Sequence, residues 1–367
     1  MPVMLGGTNR PAPSGNTMGP PRMPRPPAAS NLLRRAVSNS NPGGPPLPPQ
    51  ASFSRRPKDN YTPGDWKDCF AESIDVPTSE GTIRVYTTAT DAPNLICLHG
   101  AGCSALSFCK LAEVLAPDLN VIAIDWPGHG HTKLEHDDDL SATRLVKVVN
   151  DVISVHLADN KHAISLLGHS LGGVIAIQAL ADPTVLETIG DRLGNLVVID
   201  VCEGVAVPSL KHMPLVLHRR PAAFPSLEAA VKWAVDANVV RDAESARYSI
   251  PDQLKLDETT GKYVWAVDML ASEEHWPSWF KGTADLFNSS LKLPRYLMVA
   301  NMDRLDQAHL VGHMQGKYQV MCVAGSGHHI HEDRWREAAG HVRTFMSRYH
   351  LIKENEGQPL VPVVAKL

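Results

Sequence analysis

From about residue 61 onward, short apolar runs alternate with stretches whose apolar positions recur every three or four residues. The runs at 94–98, 121–125, 163–167, 196–201, 296–300 and 318–323 are nearly all apolar, as strands buried on both faces must be. Between them, 105–115, 142–156, 171–181 and 335–349 carry the helical spacing. Apolar strands alternating with amphipathic helices predict an α/β chain, with a mostly parallel, doubly wound sheet covered by helices. The stretch 204–291 breaks this rhythm. It reads as helices, holds four of the seven tryptophans and falls between two predicted strands, so a helical cap is expected to be inserted there over the carboxyl ends of the strands, where ligands of such sheets bind.

The first 60 residues follow a different rule. They contain 14 of the 29 prolines and few aromatics, too little apolar area to offset the entropy of ordering, and are expected to be a disordered Pro-rich tail ahead of a domain spanning 61–367. The tail holds eight Lys or Arg against the single acid Asp59, whereas residues 61–367 carry 27 bases against 38 acids. An acidic body without a basic stripe argues against nucleic acid as a ligand. The start of the chain turns polar within a few residues, with no apolar run for a signal peptide or a membrane span. Six cysteines without a CxxC pair fit a reducing compartment, so an intracellular location, cytoplasmic or nuclear, is expected.

The candidate chemistry centres on Gly168-His169-Ser170-Leu171-Gly172, a G-x-S-x-G sequence between a predicted strand and a predicted helix. A nucleophilic serine placed there needs small residues two positions to either side, because the chain reverses tightly. This context identifies Ser170 as the nucleophile of an α/β-hydrolase fold. Its oxyanion hole requires two backbone amides, one from the residue after the serine, Leu171, and one from the glycine-rich turn His99-Gly100-Ala101-Gly102, where Ala101 is the donor. The general base is expected after the last strand, which selects His328 in Gly325-Ser326-Gly327-His328; His329 and His331 compete with it. Neither His328, His329 and His331 nor His129, His131 and His136 has a recognised zinc spacing, so no metal or other cofactor is expected. Chain order admits two acids, Asp200 after the run at 196–199 and Asp303 after the run at 296–300, with Glu203 and Asp306 as further carboxylates nearby.

Longer stretches extend the picture. The run Leu98 through Leu106, the serine turn, Ile199-Asp200-Val201-Cys202-Glu203-Gly204, Arg220-Pro221-Ala222-Ala223-Phe224, Glu244-Ser245-Ala246-Arg247, Asp303-Arg304-Leu305-Asp306, Met314-Gln315-Gly316-Lys317-Tyr318 and Gly327-His328 with Glu332-Asp333 resemble the protein phosphatase methylesterase family. The resemblance covers about residues 61–350, cap included. It implies a serine esterase that removes the methyl ester from the C-terminal leucine of the protein phosphatase 2A catalytic subunit, which would be the partner of this chain. It also implies that the triad acid is Asp200, from the earlier strand, with Asp303 as the alternative. The chain departs from the family at Ala101 and Cys103 in the oxyanion loop and in lacking a long acidic insertion near 254–263. Two other readings compete: a carboxylesterase for small-molecule esters, which the same scaffold supports, and a non-catalytic phosphatase-binding protein, against which an intact serine and histidine argue.

Because a Pro-rich tail adds little to a core, deleting residues 1–60 should leave the melting temperature and aryl-ester turnover nearly unchanged. A large drop in melting temperature of the truncated chain would overturn that reading.

Overall fold

The structure, a computed structural model, describes residues 60–352. The predicted tail, with the sole exception of Asn60, and the last 15 residues of the chain lie outside the described residues.

The strands, in chain order, are β1 (Glu72–Thr78), β2 (Gly81–Thr87), β3 (Asn94–Leu98), β4 (Asn120–Ile124), β5 (Lys133–Leu134), β6 (Ile164–His169), β7 (Leu193–Ile199), β8 (Ala223–Phe224), β9 (Leu254–Asp257), β10 (Lys262–Trp265), β11 (Arg295–Val299) and β12 (Gln319–Cys322). The main sheet runs β1-β2-β4-β3-β6-β7-β11-β12, with β5 paired to β2. Every pairing from β4 to β12 is parallel, whereas β1, β2 and β5 pair antiparallel. All six predicted strands are present, shifted by up to three residues at their ends. The antiparallel β1–β2 hairpin was not foreseen, because its half-exposed residues lack the continuous apolar run that marks a central strand.

The parallel core explains where the site falls. From β3 the chain steps outward to β4 and then returns to place β6 on the other side of β3, so the loops after β3 and β6 diverge from a common edge, the point at which open parallel sheets bind ligands. Helices cover both faces. On one, the helix Ala142–His156, capped by Ser141 accepting from the Arg144 amide, buries Leu145, Val149, Val152 and Ile153. On the other, Cys109–Leu115 and Trp335–Arg348 bury Leu111, Leu115, Val342 and Phe345. The helix that follows the serine, Leu171–Ala179, is apolar on all sides, and it is buried between the sheet, the helix Ala142–His156 and the cap.

The cap lies between β7 and β11. Its helices include Glu203–Ser209, Met213–His218, Leu227–Asp236 and Ala243–Ser249. Reading the whole insertion as helices missed one element: β8, β10 and β9 form a three-stranded antiparallel sheet. Residues 254–257 and 262–265 are too short to show a period, and their pairing depends on a tight turn in which Gly261 takes φ 66°. A small core of Phe224, Val231, Ala234, Val240 and Ile250 holds this sheet to its helices. Trp279 joins cap to body: its indole donates to the Leu140 carbonyl (2.7 Å), and its own carbonyl accepts from the Gln178 amide (2.7 Å).

Candidate active site

Ser170 sits between β6 and its helix at φ 51°, ψ −118°, a conformation that costs a non-glycine residue of order 1–3 kcal/mol. The surroundings hold it there. A Cβ on Gly168 would lie 2.2 Å from the Gly172 carbonyl oxygen, and one on Gly172 would lie 2.0 Å from that of Leu98, so both positions exclude any side chain. The Ser170 amide donates to the Ile199 carbonyl at 3.0 Å and so ties the turn to β7.

Asp200 directly follows β7, also at positive φ (53°), with a fully buried carboxylate. Oδ1 accepts from the Ala300 amide (2.9 Å), while Oδ2 accepts from Arg304 Nη1 (2.8 Å) and from His328 Nδ1 (2.7 Å). A carboxylate on Nδ1 places the imidazole proton there and leaves Nε2 as the bare, basic nitrogen. Burial pulls His328 below the ordinary histidine pKa, with the Asp200 hydrogen bond opposing it, so the ring is neutral at pH 7. Asp303, the alternative acid, is exposed and, among the described residues, bonds only within its own turn, to Asn301. Glu203 and Asp306 have structural roles: the first accepts from the Gly282 and Ala284 amides, the second from the His309 and Gly204 amides. Of the competing histidines, His329 is paired with Glu332 (2.8 Å) and His331 is fully buried.

The loop after β3 packs directly on the serine turn, where a Cβ on Gly100 would meet His169 Nδ1 at 2.8 Å and Ser170 Cβ at 3.3 Å. Ala101 and Leu171 both line the cavity with Ser170 and His328, and neither amide donates to another protein group among the described residues. Two histidines that sequence reasoning did not place hold this loop. His129 Nδ1 donates to the Pro127 carbonyl, leaving Nε2 to accept from the Gly102 amide at 3.1 Å. His99 Nδ1 faces the Gly100 carbonyl, and its Nε2 accepts from the Trp126 amide. Burial holds His99 well below the usual range and His129 at about 4, so both stay neutral acceptors. His129 therefore does not join His131 and His136 in a metal set; His131 instead faces Asp252, and His136 is exposed. Arg304, likewise unplaced, lies within the run 303–306 noted in the sequence.

Above the serine, cap and body enclose a cavity of about 560 Å³ with walls that include Leu210, Met213, Trp233, Trp265, Trp276 and Trp279. Trp276 and Trp279 are buried in the core, while Trp233 and Trp265 are half-buried and pack edge to face at 5.9 Å.

This arrangement of a strained serine, an acid-paired histidine and free amides at the β3 and β6 loops places the chain in the α/β-hydrolase family, whose model matches residues 95–340. Solved structures agree on the fold: a Mycobacterium tuberculosis esterase superposes with a TM-score of 0.58 at 24% identity, covering 75% of this chain and 92% of that one. E-2-(acetamidomethylene)succinate hydrolase gives 0.62 at 16% identity, covering 75% and 98%. Sequence relatives narrow the assignment. The chain is 32% identical to the probable protein phosphatase methylesterase 1 of Caenorhabditis elegans over 88% of its length and 86% of the relative's. It is 33% identical to mouse protein phosphatase methylesterase 1 over 80% and 86%, and 36% identical to the Schizosaccharomyces pombe protein over 73% and 80%. The chain therefore belongs to the protein phosphatase methylesterase family.

The glycine contacts make a direct prediction. Gly168→Ala should destabilise the fold by about 3 kcal/mol or more, since the added methyl meets backbone, and should abolish labelling by a fluorophosphonate probe. Urea denaturation and probe labelling both at the parent level would show that the turn is looser than described.

Proposed function

We propose that this chain hydrolyses the methyl ester of the C-terminal leucine of the protein phosphatase 2A catalytic subunit, with Ser170 as nucleophile, His328 as general base and Asp200 as the acid that orients it. The observation that carries the reading is the 2.7 Å pairing of Asp200 with His328 beside the strained Ser170 turn, in a chain of this family. Neutral Nε2 of His328 takes the hydroxyl proton as Oγ attacks the leucyl carbonyl, and the Ala101 and Leu171 amides stabilise the oxyanion. The imidazolium, steadied by Asp200, returns its proton to the departing methoxide, so methanol leaves and a leucyl acyl-enzyme remains. A water deprotonated by His328 then attacks the acyl carbonyl. Collapse of that intermediate frees Oγ, which recovers a proton, and releases the tail as a carboxylate.

The apolar walls suit a leucine side chain. Binding energy from a remote interface with the folded phosphatase would be used at the reacting centre, so a free methylated tail peptide should react more slowly than the intact protein.

Two experiments test this. Asp200→Asn should stay folded but lose on the order of 10⁴ in kcat, while Asp303→Asn stays near the parent rate; the opposite pattern would return the acid to the later strand. Methylated phosphatase incubated with the enzyme should lose its ester, followed by mass spectrometry, and should keep it with Ser170→Ala. Retention of the ester by active enzyme that turns over small aryl esters rapidly would favour the carboxylesterase reading.

A further inference from the structure

Three segments distant in sequence meet behind the proposed catalytic histidine. Cys103 comes from the loop after β3, His169 from the serine turn and His329 from the loop after β12, and one ligand atom from each lies within 4.8 Å of the other two. His169 is 1% exposed and Cys103 7%, and all three residues line the wall of the cavity.

The hydrogen bonds of the two histidines leave specific atoms free. His169 Nε2 donates to the His328 carbonyl (3.0 Å), so Nδ1 keeps its lone pair, and that atom is fully buried without a partner among the described residues. His329 Nδ1 is held by Glu332 Oε1 (2.8 Å), which leaves Nε2 as the lone-pair nitrogen. Glu332 is itself fully buried, with Oε2 unpartnered among the described residues. Metal-bound histidines characteristically have this second bond, which fixes the tautomer and aims the ligand atom, with a carboxylate or a backbone carbonyl as the outer partner. A water molecule would satisfy His169 Nδ1, but it would not explain why a thiol and a carboxylate-backed histidine converge on the same point.

We propose that Cys103 Sγ, His169 Nδ1 and His329 Nε2 form a site for a thiophilic divalent cation, zinc being the best match, whose occupancy inhibits the enzyme. Zinc accepts one sulfur and two nitrogen ligands and leaves a fourth position for water on the cavity side. Bonds of roughly 2.0–2.3 Å set tetrahedral ligands about 3.3–3.8 Å apart, so the side chains close by about an ångström when the ion enters. The Cys103 S–H bond breaks, the sulfur pair forms the metal bond, and the proton goes to buffer. No electron transfer is involved.

Inhibition follows from position. The three ligands tie together the oxyanion loop, the serine turn and the loop carrying His328, whose ring centre is 4.6 Å from that of His169 and 5.7 Å from that of His329. A dication there opposes the imidazolium that forms as Ser170 attacks. The binding is independent of the proposed reaction, and only the inhibition rests on it.

The test uses the full-length chain, freed of metal with a chelator. Zinc titration by calorimetry should show one ion per chain, and zinc should inhibit aryl-ester turnover reversibly, with activity restored by EDTA. Cobalt(II) should produce a thiolate-to-metal charge-transfer band in the near ultraviolet. Cys103→Ala should lose that band, and both it and His329→Gln should weaken zinc binding by about tenfold or more, the scale on which metal sites respond to lost supporting groups. Each variant is compared with its own metal-free rate, and its folding is checked by circular dichroism. Absence of stoichiometric binding, absence of the cobalt band in the parent, or equal zinc inhibition of parent and Cys103→Ala would each overturn the site. The calorimetric and cobalt readouts do not depend on the phosphatase substrate, so failure here is distinguishable from failure of the methylesterase reading.

Discussion

The site depends on one steric constraint: the backbone contact that forces Ser170 into a left-handed conformation. A Cβ at Gly168 would strike the Gly172 carbonyl of the same turn, and one at Gly172 would strike the Leu98 carbonyl at the end of β3, so the turn closes on itself and packs on β3 with no room for a side chain. Ser170, Ala101 and Leu171 all line the cavity at this contact, and among the described residues the Ala101 and Leu171 amides have no protein acceptor. Ser170 and the two free amides are therefore positioned by one interface, whose rigidity comes from the buried parallel strands beneath it.

Around that interface, electrostatics are arranged by burial. Asp200 is the only one of the four candidate carboxylates whose oxygens face His328, and it is shared with Arg304 and the Ala300 amide, so the buried carboxylate is satisfied by three donors. His99 and His129 are kept neutral by the same low-dielectric surroundings and serve as hydrogen-bond acceptors that hold the oxyanion loop. A protonated His129 could not accept from the Gly102 amide. Burial thus supports both the fixed scaffold and a neutral His328.

The cap decides what reaches this machinery. It is pinned to the body through Trp279 and through the helix that follows Ser170, so the walls of the cavity and the catalytic turn share a packing partner. Walls that are mostly apolar, interrupted by Arg219, Arg220, Asn238 and Gln253, suit an ester on a hydrophobic residue. The fold alone does not supply that preference, because the solved structures that share it are of varied function.

Sequence alone determined the α/β architecture, the serine and its turn, because these are encoded locally: continuous apolar runs identify buried strands, and two glycines flanking a serine between strand and helix leave little alternative. His328 was legible by its place after the last strand. Chain order allowed both Asp200 and Asp303; the family resemblance pointed to Asp200, and the tertiary structure, with β7 beside β11, is what pairs that carboxylate with the histidine. The cap's small sheet escaped because two four-residue strands carry no readable period until they pair. His129, Arg304 and the convergence of Cys103, His169 and His329 were likewise invisible: each contact joins loops far apart in the chain, and no spacing rule reports on distances that the parallel sheet alone creates.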